Sequence, residues 1–159
     1  MSFYDWLLFL HVLTAFALVA AVVVYTVIVL AGRRLDVPSD IARMFRLSRV
    51  ADILVAVGSI GVLVLGIWLA IQVDDYQVWD GWIIAAIVLW LVFAEVGRRT
   101  GKHYDAARTR ARTLVAEGRN APDAELNGMM RSPTGLVLQL ASAALVLAML
   151  IDMIYKPGA

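Results

Sequence analysis

The sequence contains no cysteine among its 159 residues and only two histidines. Without cysteine the chain has no disulfide, no thiolate metal site and no cysteine nucleophile. It also lacks a glycine-rich phosphate loop, an HExxH or CxxC motif and the Ser–His–Asp order of a hydrolase. These absences argue against hydrolytic and phosphoryl-transfer enzymes of the soluble type, and no group of residues predicts a metal site.

Charge is also scarce, and it is unevenly distributed along the chain. Charged residues make up 17% of the sequence and hydrophobic residues 62%, whereas a soluble domain carries about 25% charged residues. The formal net charge is only +1, so we expect no nucleic-acid partner. Charges are nearly absent from four long apolar stretches and crowded between them, which is typical of a protein in a lipid bilayer.

The four apolar stretches are predicted to cross the bilayer as helices. A spanning helix needs about 20 predominantly apolar residues, and its backbone must satisfy its own hydrogen bonds. We place the spans at residues 4–31, 50–73, 78–97 and 133–155 of a single membrane domain covering 1–159, with cytoplasmic connections at 32–49 and 98–132. The third span is short, and its outer end depends on Val78 and Trp79. The first span is expected to stay uncleaved, because it lacks a basic leader and is longer than a signal-peptide core.

Basic residues indicate the orientation of these spans. All fourteen except Lys156 fall in the two connections at 32–49 and 98–132, which the positive-inside rule assigns to the cytoplasm. An aromatic belt is expected at the opposite, outer interface: Tyr4, Trp6, Tyr76, Trp79, Trp82 and Tyr155. The predicted fold is therefore an all-α, four-transmembrane-helix up-down bundle with both termini outside the cytoplasm (N-out and C-out).

Helical extensions of the spans are expected on the cytoplasmic side. Pro38-Ser39-Asp40 predicts a helix start with Ser39 as the N-cap, and an amphipathic helix on the membrane surface then leads into span two. Residues 98–117 are predicted to continue span three as a helix. Gly118 and the following Asn-Ala-Pro should break it, a short helix follows, and Ser132-Pro133 starts span four.

His11 is the first candidate for chemistry, because an ionisable group inside a span is costly and is by default a functional-site hypothesis. It lies roughly 10 Å inside span one, at a depth near Gly66 and Trp68 of span two and Met149 and Asp152 of span four. The imidazole is able to ligate haem iron or a metal, or to relay a proton, with Asp152 orienting the ring. The alternatives are a neutral histidine bonded to a neighbouring helix and an Asp152 that reaches outer water.

Small residues along span two predict close helix packing, with Gly58, Gly61 and Gly66 as the contact points. A planar cofactor bound between helices would also need the space that such small residues leave. Met149 and Met153 are expected to be ordinary packing residues.

Two further carboxylates are predicted to form ion pairs with nearby arginines on their own helices. Glu95 is followed by Arg98 and Arg99 at spacings that favour pairing on one helix face. Asp52 is expected to pair in the same way with Arg49.

The chain resembles an uncharacterised bacterial family of predicted integral membrane proteins over essentially its whole length. The resemblance rests on 7–13 (LLFLHVL), 66–69 (GIWL) and 156–158 (KPG). That family is similar to the copper-resistance protein D group, which includes the HemJ-like membrane protoporphyrinogen oxidases. The resemblance implies a multi-pass protein of the bacterial inner membrane, and His11 matches a histidine that ligates haem in the HemJ-like proteins. Those proteins pair it with a lysine in a later span, and span three here has none.

The sequence thus favours an integral membrane protein of unknown biochemical activity. We interpret it as a non-enzymatic structural or accessory subunit in the lipid bilayer, packing with itself as a homo-oligomer or with other membrane subunits. The first alternative is a b-type haem or redox protein that uses His11. The second alternative is a component for metal or small-solute transport.

Overall fold

The computed structural model describes residues 2–72 and 79–156. Five helices account for most of them: α1 (Phe3–Gly32), α2 (Pro38–Gln72), α3 (Gly81–Ala116), α4 (Ala124–Arg131) and α5 (Pro133–Tyr155). The described residues contain no strand, and four spans are long and apolar enough to cross a membrane. The all-α class and the four spanning helices predicted from the sequence are confirmed.

Helices α1, α2, α3 and α5 form a four-helix bundle. The main contacts run from α1 to α2, from α2 to α3, from α3 to α5 and from α5 back to α1. Because successive spanning helices run in opposite directions, Ser2, Trp79 and Lys156 lie at the same end, which we call the terminal end. The other end holds residues 33–37 and 117–132, and we call it the basic end.

The interface between α1 and α2 is the most extensive in the bundle, and glycines explain the close approach. A Cβ added at Gly58 would lie 2.7 Å from the Leu18 backbone nitrogen, and one added at Gly61 would lie 2.8 Å from Thr14 Cβ. Rising numbers on α2 thus meet falling numbers on α1, as an antiparallel pair requires. In lipid, where apolar surface has no water to escape, such close backbone packing is a main source of helix association.

Helix α2 starts two residues earlier than predicted. The Val37 carbonyl accepts hydrogen bonds from the backbone N–H groups of Asp40 and Ile41, so Pro38 is the first helical residue, a position that needs no N–H. Ser39 therefore lies in the first turn and is not the N-cap. Its backbone N–H donates to Asn120 Oδ1 at 3.0 Å instead.

Helix α3 does not include the outer residue Trp79, which was expected to lengthen the short third span, but it continues toward the basic end as predicted. It begins at Gly81, so Trp79 precedes the helix, and Val78 lies outside the described residues. Its 36 residues correspond to about 54 Å, more than the roughly 30 Å of hydrocarbon. The N–H groups of Gly118 and Arg119 donate to the Val115 and Leu114 carbonyls, which is a Schellman end with Gly118 at φ +71°. The predicted continuation of span three and its break at Gly118 are confirmed.

A compact hydrophobic core lies at the basic end, where α2 and α3 extend beyond the apolar part of the bundle and α4 covers them. Its buried members are Ile41, Met44, Phe45, Ala107, Ala111, Leu114, Leu126 and Met130. The α2 extension, expected on the membrane surface, packs instead against α3 and α4. Hydrophobic burial in water explains this docking, because these segments carry apolar side chains on one face.

The aromatic residues at the terminal end do not all form a belt. The side chains of Tyr4, Trp6, Trp79 and Tyr155 are exposed, but Trp82 is only 6% exposed. Trp82 therefore lies inside the bundle, contrary to the prediction, and Tyr76 lies outside the described residues.

Candidate functional site

A cavity of about 580 Å³ lies at the terminal end between α1, α2, α3 and α5. We call it the terminal-end cavity. Most of its lining is apolar. The side chains in it that could bind a cofactor or another ligand include His11, Trp82, Met149, Met153 and Lys156. The Lys156 ammonium group lies 5.4 Å from the centre of the Trp82 ring, within the range of a cation–π contact. The volume is in the range of sites for cofactors and drug-sized ligands.

The His11 imidazole extends from α1 across the backbone of α2 at Gly66. A Cβ at Gly66 would lie 3.0 Å from His11 Cε1 and 3.5 Å from Nδ1, so a larger residue there would displace the ring. Nδ1 of the imidazole is buried and has no hydrogen-bond partner in the described part of the chain. The structure thus brings His11 and Gly66 together and leaves one ring nitrogen unsatisfied.

Asp152 is not part of this arrangement. The cavity is lined from α5 by Val146, Met149, Leu150 and Met153, which repeat at helical spacing, and Asp152 lies beside this stripe. No hydrogen bond or ion pair joins Asp152 to His11 in the described part of the chain. Its side chain is only 8% exposed, and Oδ2 is buried without a partner. Neither the expected pair with His11 nor the alternative contact with outer water is seen.

A second cavity, of about 560 Å³, lies toward the basic end, and we call it the basic-end cavity. A polar cluster on its wall joins three helices. The Tyr25 hydroxyl donates to Asp52 Oδ1, and Arg108 Nη2 donates to Ser48 Oγ at 2.8 Å. The same Nη2 lies 3.6 Å from Asp52 Oδ2, and the guanidinium carbon lies 5.5 Å from the centre of the Phe45 ring.

This cluster corrects the expectation for Asp52, which pairs with Arg108 on α3 and not with Arg49. The sequence contained part of the signal. Ser48 and Asp52 are four residues apart on one face of α2, and Tyr25 is a polar side chain deep in span one. The prediction for Glu95 is confirmed, because its Oε1 lies 2.6 Å from Arg98 Nη2 and 2.8 Å from Arg99 Nε.

Trp90 of α3 lies between the two cavities and contributes to the lining of both. Its indole Nε1 donates to the Ser59 carbonyl at 3.0 Å, which ties α3 to α2 at this level. Further toward the basic end, the buried Gln139 amide of α5 donates to Thr26 Oγ1 of α1 at 3.1 Å. Side-chain hydrogen bonds therefore tie α3 to α2 and α5 to α1.

Outside the spans, the start of α4 has its own electrostatic arrangement. Asp123 is the N-cap and accepts a hydrogen bond from the Leu126 N–H at 2.9 Å. Arg110 Nη2 donates to the same carboxylate at 3.0 Å. The Leu126 N–H first, and Arg110 second, hold the pKa of Asp123 below its ordinary value.

Comparison with known proteins gives one match. The sequence model of a family described as predicted integral membrane protein (DUF2269) matches residues 5–157. No curated protein and no solved structure matches the chain.

Proposed function

The chain belongs to the DUF2269 family of predicted integral membrane proteins, and from this premise we propose that it is an accessory membrane protein that holds haem b in the terminal-end cavity through His11. The unsatisfied, buried Nδ1 of His11 carries this proposal. A buried polar atom without a partner is costly, and in an apolar cavity a metal centre is the kind of partner that satisfies an imidazole lone pair.

The remaining residues of the cavity fit a haem group. The absence of a side chain at Gly66 lets the imidazole lie against α2 at the cavity wall, because any Cβ there would meet the ring. Met149 and Met153 line the same cavity from α5, and their thioethers are a known partner for histidine in haem ligation. His11 and one of these methionines would hold the iron, and Lys156 would supply a positive charge for the propionates. When bound, haem supplies one-electron chemistry at a potential that a His/Met ligand pair raises.

Absorbance spectroscopy of the purified protein tests this proposal. After expression with added haem precursor, the parent protein should show a Soret band, and His11→Leu should lose it. The chain's other histidine provides a matched control, because His103 does not line the terminal-end cavity and His103→Leu should keep the band. Of the two variants Met149→Leu and Met153→Leu, the one that shifts the absorbance spectrum should identify the second ligand.

The opposite outcomes would reject haem binding at this site. A parent protein that shows no Soret band even after reconstitution with haem contradicts the proposal. A band that survives His11→Leu would assign haem to another position. Gly66→Leu adds an independent check, since it keeps the histidine in the sequence but should displace its ring and so reduce haem binding.

We also propose that the basic end faces the cytoplasm of a bacterial cell and that both termini lie outside, in the inner membrane. The distribution of Lys and Arg supports this orientation. Reporter fusions after Lys156 should report the extracytoplasmic side, and a fusion near Arg110 should report the cytoplasm. A cytoplasmic reporter signal after Lys156 would reverse the orientation.

A further inference from the structure

The basic-end cavity is amphiphilic along its length, and nothing in the haem proposal uses it. Its polar wall is formed near the basic end by Ser48, Asp52, Tyr104 and Arg108. Its wall toward the middle of the bundle is mostly apolar and aromatic, formed by Val22, Phe93 and Trp90 among others. A molecule that fills this cavity therefore has a polar group at the basic end and an apolar body directed toward the centre of the bilayer.

Charges on the polar wall are already balanced. Arg108 lies 3.6 Å from Asp52 and 3.5 Å from Asp105, and Arg98 pairs with Glu95 at 2.6 Å. An added negative charge beside Arg108 would meet two carboxylates, and an added positive charge would meet the guanidinium group. The arrangement thus favours an uncharged polar group over either kind of ion.

Two hydrogen-bond donors on this wall have no acceptor. Arg108 Nε and the Tyr104 hydroxyl are buried, and neither has a hydrogen-bond partner in the described part of the chain. The hydroxyl lies against Gly135 of α5, where an added Cβ would come within 2.6 Å of it. Since unpaired buried donors are costly, a ligand oxygen that reaches these two donors would be bound favourably.

We infer that the basic-end cavity binds an uncharged amphiphile whose carbonyl oxygens accept hydrogen bonds from Tyr104 and Arg108. Its apolar body lies along Phe93 toward Trp90. Two kinds of membrane molecule share this chemistry: a quinone with an apolar tail, and a neutral acyl-ester lipid. The aromatic lining favours the flat ring of the quinone. The site is separate from His11 and does not depend on whether the terminal-end cavity holds haem.

Equilibrium dialysis of the purified, delipidated protein against labelled decylubiquinone tests this inference. Binding should be saturable, and Tyr104→Phe should weaken it about five- to tenfold, as the loss of one hydrogen bond predicts. That substitution removes only a hydroxyl without a partner, so the fold should be unaffected. Arg108→Lys should weaken binding similarly, because it keeps the positive charge near Asp52 and removes the Nε donor.

Control variants and competitors complete the experiment. Tyr155→Phe changes an exposed tyrosine at the other end of the bundle and should leave the affinity unchanged. Displacement by dioctanoylglycerol at lower concentration than by unlabelled quinone would identify the ester lipid as the better-fitting source. Stronger displacement by decanoate would overturn the uncharged class. Equal affinities of the parent, Tyr104→Phe and Arg108→Lys would overturn the site.

Discussion

The basic end and the α1–α2 interface are both tightly packed, but with opposite kinds of residue. At the basic end, large side chains such as Leu114, Leu126 and Met130 have at most 1% of their surface exposed. Between α1 and α2, the closest contacts are made where side chains are missing, at Gly58 and Gly61. One region is therefore filled by side-chain volume and the other by the close approach of two backbones.

The difference follows from the environment that surrounds each region before it packs, which is water at the basic end and lipid between α1 and α2. The basic end extends beyond the length of helix that hydrocarbon covers, so removing apolar surface from water stabilises it. Between α1 and α2 the alternative to helix contact is lipid, which is as apolar as leucine, so packing detail decides stability. Shortening a side chain should thus be most harmful at the basic end, and lengthening one should be most harmful between α1 and α2.

The largest expected effect tests the basic-end core. Leu126 of α4 is fully buried at 0% exposure, and Leu126→Ala should lower the free energy of unfolding by about 2–5 kcal/mol. Leu147 of α5 is 59% exposed, and Leu147→Ala should change it by less than about 0.5 kcal/mol. Denaturant unfolding in detergent measures both variants. Equal losses would mean that α4 is not docked on α2 and α3.

The next prediction reverses the direction of the size change. Gly58→Ala places a Cβ against the Leu18 backbone and should cost about 1–3 kcal/mol of unfolding free energy, as overpacking does. Gly128 of α4 has no neighbour within 4 Å of an added Cβ, so Gly128→Ala should stabilise the protein by up to about 1 kcal/mol through helix propensity. Thermal unfolding of the two variants should therefore shift in opposite directions. Shifts of the same sign would remove Gly58 from a close helix contact.

His11 should matter less for stability than for ligand binding. His11→Leu removes the unsatisfied nitrogen together with its ring, so little is left unpaired. We expect a folded protein whose unfolding free energy, measured without haem, falls by less than about 1 kcal/mol. A loss as large as that of Leu126→Ala would show that the imidazole is a structural hydrogen-bonding group.

The smallest effect concerns the pH dependence of the basic end. The pKa of Asp123 is lower in the folded protein than its ordinary value of 3.8, so its contribution to stability is complete above that value. The contribution is lost as the pH falls through the lowered pKa. Asp123→Asn keeps a capping side chain without the charge, and its unfolding temperature should decline less than that of the parent below about pH 4. Parallel declines would show that other carboxylates dominate acid unfolding.

Local patterns in the sequence were sufficient for much of the fold. The spans, the helix that continues through residues 98–116 and its end at Gly118 depend on hydropathy and backbone preferences within a few residues. Depth counting also brings His11 beside Gly66, because straight antiparallel helices preserve depth along the bundle axis.

Depth counting gives the position of a residue along the helix axis, but it does not give the direction in which its side chain points around that axis. Successive residues on a helix turn by about 100°, so Asp152 shares the depth of Met149 but lies beside the cavity-lining stripe. Trp82 likewise lies near the end of its helix but faces the bundle. The pairing of Asp52 with Arg108 depends on which of many arginines a distant helix brings near, and no local pattern specifies it.

The connection between α1 and α2 has a consequence for biosynthesis. Its Asp36 carboxylate pairs with Arg131 at 2.6 Å, and the Ser39 N–H at the start of α2 is capped by Asn120, 81 residues further along the chain. A ribosome adds about 5–20 residues per second, so Asn120 is synthesised about 4–16 s after Ser39. Until then the Asp36 carboxylate and the Ser39 N–H at this turn are bonded only to water, although the first two helices have already been synthesised. The rate of chain elongation, and not helix insertion alone, therefore sets the time at which these contacts of the basic end can form.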